Sequence, residues 1–148
     1  MKKYLQKKLN NEKGMTLIEL LAVIVIIAII AAIAIPAIGN VIENSRVGAI
    51  KSDALSAISA ANLYYADNPT VTAPVPLSTL DGDYMDDLGS LTATSTVTAE
   101  GVFDGAGTVS GVTLTFNDAD KTLINSLANN TANTEGVGNA TNGIVVTR

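Results

Sequence analysis

From Leu20 to Ile35 the chain carries an unbroken run of apolar residues. Extended to Met15 and Ile38, the run is interrupted by Thr16, Glu19 and Pro36 alone. At 1.5 Å per residue, roughly 24 helical residues reach about 36 Å, enough to cross a hydrocarbon core of about 30 Å. Charge changes sign across it. Residues 1–14 hold five lysines (Lys2, Lys3, Lys7, Lys8, Lys13) and one acid, Glu12, a net +4. Residues 15–148 hold four basic and thirteen acidic residues, a net −9. Lysines before the run and few basic residues after it put the N-terminus in the cytoplasm and the C-terminal part outside.

Composition narrows the chemistry. The 148 residues include no His, no Cys and no Trp. Imidazole bases, thiolate nucleophiles, His or Cys metal sites and disulfides are therefore excluded. An overall charge of −5 argues against a nucleic-acid partner, whose phosphates call for clustered Lys and Arg.

Three readings of the N-terminus compete. Ala32-Ile33-Ala34 fits the small-residue site of a secretory signal peptide, but the apolar run exceeds the usual 7–15 residues. A plain membrane anchor explains the length and gives Glu19 no purpose, although a charge at a helix centre in lipid costs about 2.5–3.5 kcal/mol by insertion scales. The third reading uses Glu19. In Lys13-Gly14-Met15-Thr16-Leu17-Ile18-Glu19, a small residue precedes the apolar segment and an acid follows five positions later. This resembles the prepilin processing site of type IV pilins and pseudopilins.

The resemblance implies cleavage after Gly14 by a membrane aspartyl peptidase and N-methylation of Met15. The apolar helix would stay on the mature chain, with Glu19 as its fifth residue and Pro36 at the family's proline position. Two features depart from the commoner pattern: Met15 stands where Phe is usual, and no cysteine is present to close a C-terminal loop. The second points to a Gram-positive type IV pilin or a cysteine-free pseudopilin. A lone carboxylate at the membrane boundary also has a physical use. A neighbouring subunit's free α-amine at Met15 would neutralise Glu19, and cleavage creates that amine from an uncharged amide.

Helical spacing persists beyond Pro36 through Val47, Ile50, Ala54, Ile58, Ala61 and Tyr65. Polar residues, among them Arg46, Lys51 and Asp53, fall on the other faces. Asn68-Pro69 ends the run. One helix is expected from near Met15 to near Ala66, with a bend or local melting at Pro36 and Gly39. The expected organisation is a leader over 1–14, a transmembrane and assembly segment over 15–38, an amphipathic half-helix over 39–66 and a head over 67–148.

The head is rich in Ser, Thr, Gly and Asn. Thr70 to Pro76 reads as an exposed connector, and Leu77 to Met85 resembles the loop before the sheet in Gram-positive pilins. Alternation marks strands over Thr94–Val102 and Thr108–Phe116, joined by a turn at Asp104-Gly105-Ala106-Gly107. Asp118 to Asn129 reads as a short helix with Asp118 as N-cap, and Ile144-Val145-Val146 as a closing strand. The fold class is α+β, a long N-terminal helix packed against a small antiparallel sheet.

Asp81, Asp83, Asp86 and Asp87 form the concentrated acidic cluster and are weak candidates for a calcium site. They lack the spacing of a twelve-residue calcium loop, so no metal and no cofactor is expected. Asn129-Asn130-Thr131 and Asn139-Ala140-Thr141 fit the N-glycosylation pattern. No nucleophile–base constellation exists, so no enzyme is expected.

Two functions remain. One is a filament subunit, a major pilin of a surface pilus for adhesion or twitching motility. Minor pilins and pseudopilins of competence or type II secretion systems share the same N-terminal signal. The other is a membrane-anchored monomer that binds at the cell surface. For the first, the implied partners are further pilin subunits in a homopolymer, a prepilin peptidase, an assembly platform protein and ATPase, and the membrane, with no direct nucleic-acid binding.

Overall fold

The computed structural model describes residues 2–131, 136–138 and 142–148, with side chains from Thr16 onward. The chain divides into two compact units, residues 1–40 and 41–148.

Helix α1 runs from Lys2 to Asp67, so its start lies well before the expected Met15. Lys, Leu and Gln dominate residues 2–9, and these are good helix formers. A helix already nucleated in the apolar segment extends into them without a second nucleation cost. Helical structure also continues through Pro36, so the segment is not melted in the single chain. The ring still removes one backbone donor, which leaves the Ala32 carbonyl without its usual partner. At the far end, Asn68 closes the helix: its backbone N–H and its side-chain Nδ2 both donate to Tyr64 O at 2.9 Å.

In the second unit, the stripe read from periodicity faces the core. Val47, Ile50, Ala54, Ile58 and Ala61 are fully buried, joined by Ala57. They pack on a six-stranded sheet built from β1 (Val75–Pro76), β2 (Thr96–Val97), β3 (Phe103–Val109), β4 (Val112–Ala119), β5 (Gly136–Gly138) and β6 (Gly143–Thr147). All neighbours are antiparallel, in the order β1-β2-β3-β4-β6-β5. Val112, Leu114 and Phe116 alternate inward along β4. Phe103 and Phe116 meet edge to face at 5.1 Å. Burying each ring stabilises the head by about 1.5–3 kcal/mol. Short helices α2 (Leu77–Leu80) and α3 (Lys121–Ser126) add Leu77, Leu80 and Ile124 to this core.

Several local expectations are corrected. Asp104 to Gly107 is not a turn but lies inside β3, and the β3–β4 turn is Ser110-Gly111. Both turn residues have positive φ, 47° and 92°, as the tight turn of a two-residue hairpin requires. Gly107 is needed for another reason. A Cβ there would stand 2.5 Å from Ile50 Cγ2 and 3.0 Å from Leu91 Cδ2, so the glycine lets helix and sheet approach closely. Of the stretch Thr94–Val102, Thr96 and Val97 alone form a named strand, and the end of the connector supplies its partner β1. The N-cap of α3 is Asp120, not Asp118. Asp120 Oδ1 accepts from Leu123 N at 2.7 Å, whereas Asp118 sits in β4. The closing strand β6 lies between β4 and β5.

Candidate functional site

The first unit places Gly14, Met15 and Glu19 within two turns of α1. Glu19 follows Met15 by one turn, about 6 Å along the axis, and Pro36 lies a further 25 Å or so along the same helix. From Thr16 to Ile38 the side chains are exposed, apart from half-covered Ala31 and Ala34. Leu17, Ile18, Ile33 and Ile35 each keep two thirds or more of their surface uncovered. Thr16–Asp67 is long and apolar enough to cross a membrane, with none of its most apolar stretch buried by the chain itself. Burial of this surface therefore requires lipid or other helices. Among the side chains described, from Thr16 onward, no basic group pairs with Glu19. The ion pair found among them, Arg148 Nη1 to Glu43 Oε2 at 2.9 Å, lies in the second unit.

In the head, polar side chains of α1 act as ties to the sheet. Asp53 Oδ2 accepts from Ser90 N at 2.8 Å and from Ser90 Oγ at 2.6 Å. Arg46 Nη1 donates to Ser110 O at 3.1 Å. Lys51 Nζ donates to Leu127 O at 2.5 Å, beyond the C-terminal turn of α3, and burial lowers its pKa from the ordinary value. The Tyr65 hydroxyl lies 2.8 Å from Ala73 O and 2.9 Å from Val97 O, and accepts from Val75 N at 3.1 Å. Burial is the main cause that raises its pKa. Sequence reading assigned Arg46, Lys51 and Asp53 to the faces away from the stripe; these bonds show that they flank it and tie the helix to the turn and loops around the sheet.

The remaining candidates do not converge. Asp81, Asp83, Asp86 and Asp87 are exposed, and among the described residues no group of three or more acidic side chains could hold a metal ion. Asp81 instead ends α2, its N–H donating to Leu77 O, and Asp87 Oδ1 accepts from Gly89 N at 3.1 Å. Asn129 is engaged as well, since its Oδ1 accepts from Lys51 Nζ at 3.4 Å and its backbone O from Arg148 Nη2 at 2.8 Å. The second glycosylation pattern, Asn139 to Thr141, lies outside the described residues. An open groove of about 700 Å³ runs along α1 past Leu55, Ser56 and Leu63, facing Tyr84 to Asp87.

The features that carry chemistry are thus the Gly14–Met15 step and the uncovered helix. A family model described as the prokaryotic N-terminal methylation motif matches residues 9–35. The match supports a type IV pilin-family protein, and with it a pilin- or pseudopilin-type precursor. It spans the Gly14–Met15 junction, Glu19 and most of the apolar run. Such a motif implies processing by prepilin peptidase, polymerisation in general terms and membrane anchoring before assembly. The family is typically structural and non-enzymatic. Searches of curated proteins and of solved structures gave no match.

Proposed function

We propose that this chain is the major structural subunit of a type IV pilus, a surface filament for adhesion or twitching motility. The observation that carries the reading is an apolar helix left uncovered by its own chain, preceded by a lysine-rich segment, with the Gly14–Met15 step inside a matched methylation motif. In this reading prepilin peptidase cuts after Gly14, and Met15 becomes the N-methylated mature terminus. The subunit then waits as a single-pass membrane protein with its N-terminus in the cytoplasm. A platform protein and ATPase move it into the filament, where residues 15–38 pack against other copies. Glu19 pairs with the Met15 α-amine of a neighbour, and Pro36 supplies the place where the helix adapts. The sheet of the head forms the outer surface.

The test is direct. Intact mass should show a mature chain starting at Met15 with one added methyl group, and Gly14→Arg should block that processing. Detergent-free shearing of cells should release the protein in fibres. A mature start near Ile35 would mean secretory cleavage and overturn the reading. Retention of all the protein in the membrane after shearing would mean an anchored monomer instead.

A further inference from the structure

The scissile junction lies inside α1, with helical residues on both sides. In that geometry the Met15 N–H points to the Asn11 carbonyl, and the Gly14 carbonyl to the Ile18 N–H. A peptidase holds its substrate extended, using the substrate's backbone N–H and C=O groups much as an added strand does. A helix has those groups already occupied. The Gly14–Met15 bond is therefore protected until the helix opens around it.

The sequence is uneven in its resistance to that opening. Residues 2–9 are mostly Lys, Leu and Gln, and the helix after Met15 is apolar and nearly continuous. Between them Asn10, Asn11 and Gly14 place three weak helix formers within five positions. Opening this stretch therefore costs less than opening the Lys- and Leu-rich turns before it by propensity, and less than opening the apolar turns after it, whose freed backbone groups would have no water to bond in lipid. The two asparagines precede the bond by one turn, so the carbonyls they contribute are among those that must be released.

We propose that Asn10 and Asn11, together with Gly14, form a weak point in α1 that sets how often the Gly14–Met15 bond is available, so that local helix opening governs the rate of processing. This rests on the reading that the chain is cut after Gly14. When opening and reclosing are fast relative to cleavage, the cleavage rate follows the population of the open form. In the open form water adds across the bond, leaving a carboxylate on Gly14 and an amine on Met15. In this proposal the asparagines act as positioning residues, through the stability of the helix backbone.

The experiment follows cleavage of the full chain in detergent by a prepilin peptidase, read by intact mass over time. Replacing both Asn10 and Asn11 by Ala should slow the reaction roughly five- to tenfold, from the helix propensities of the two residues. Replacing both by Gly should speed it about two- to threefold. Amide exchange over residues 14–18 should slow in the first variant and quicken in the second. Equal rates in both variants, or exchange that does not change, would overturn the proposal. Slowing by both substitutions would also overturn it, because it would mean that the asparagine side chains are recognised directly. If the unaltered chain yields no product ending at Gly14, the processing reading itself fails, and this proposal with it.

Discussion

A single side chain in each unit gives a prediction, Glu19 in the first and Tyr65 in the second. If the Glu19 carboxylate meets a neighbour's α-amine, Glu19→Ala should abolish filaments while cleavage after Gly14 continues. Opposite charges about 4 Å apart attract by about 4 kcal/mol at an effective dielectric of 20, before desolvation is subtracted. Glu19→Gln keeps the shape and loses the charge, so processed subunits should remain in the membrane fraction on immunoblots of sheared cells. Normal fibres from Glu19→Ala would make the carboxylate a headgroup contact only. Tyr65 acts within the head, where its hydroxyl serves the connector and β2. Burial raises its pKa, so the fold favours the neutral phenol. That stabilisation is complete below about 10, the unfolded value, and is lost as pH rises through the higher folded value. Tyr65→Phe should lower the stability of a fragment starting at Val41 by about 1–3 kcal/mol at neutral pH, by leaving buried backbone groups unpaired. Urea unfolding across pH 8–11 should show a shallower alkaline loss in that variant. The sequence marks Tyr65 as the last member of the stripe, but its hydrogen bonds come from segments 8 to 32 residues away and leave no local pattern to read.

The elements were legible to different degrees. The helix stripe was readable because four core positions, Ile50, Ala54, Ile58 and Ala61, recur at helical spacing in a segment without glycine between Ile50 and Ala66. The strands were harder. Thr, Ser and Gly make up much of 92–115, so alternation is weak, and Asp104-Gly105-Ala106-Gly107 carries stronger turn chemistry than Ser110-Gly111. The glycine at 107 answers to the neighbouring helix rather than to a turn, which a single strand's sequence cannot reveal. This yields a prediction at the level of the element. Gly107→Val should destabilise the head by about 1–3 kcal/mol, the usual cost of overpacking, because its Cβ would meet Ile50 and Leu91. A valine in a central strand should otherwise be favourable. Equal or greater stability by thermal unfolding would mean that the helix can move away from β3 freely. In the candidate site Gly14 and Glu19 stood out through their resemblance to a prepilin processing site, and the matched methylation motif spans both. The polar ties of Arg46, Lys51 and Asp53 were not legible, since their partners are loops placed by the whole sheet.

At the scale of the molecule, the chain joins an uncovered apolar helix to an acidic head. The mature chain should need detergent or a filament, whereas the fragment from Val41 should be a soluble, folded monomer; an unfolded fragment by circular dichroism would refute that division. Assembly then raises an electrostatic problem. Residues 41–148 hold four basic and twelve acidic residues, a net −8. Three of the four cations are engaged inside the head, Arg46 with Ser110 O, Lys51 with Leu127 O and Arg148 with Glu43. Side-by-side heads in a filament would therefore repel through this net negative charge, with three of their four cations held by partners within their own chain. The Debye length falls from about 30 Å at 0.01 M salt to about 8 Å at 0.15 M, so screening should matter at the spacing of adjacent heads. Purified fibres should fray or shed subunits in low salt and remain intact at physiological ionic strength. Sodium chloride should suffice, because the described acidic residues form no metal-binding group. Fibres equally stable at 0.01 M and 0.15 M, by sedimentation and electron microscopy, would place the acidic faces away from one another. A requirement for a divalent cation at constant ionic strength would instead identify a bridging ion between heads.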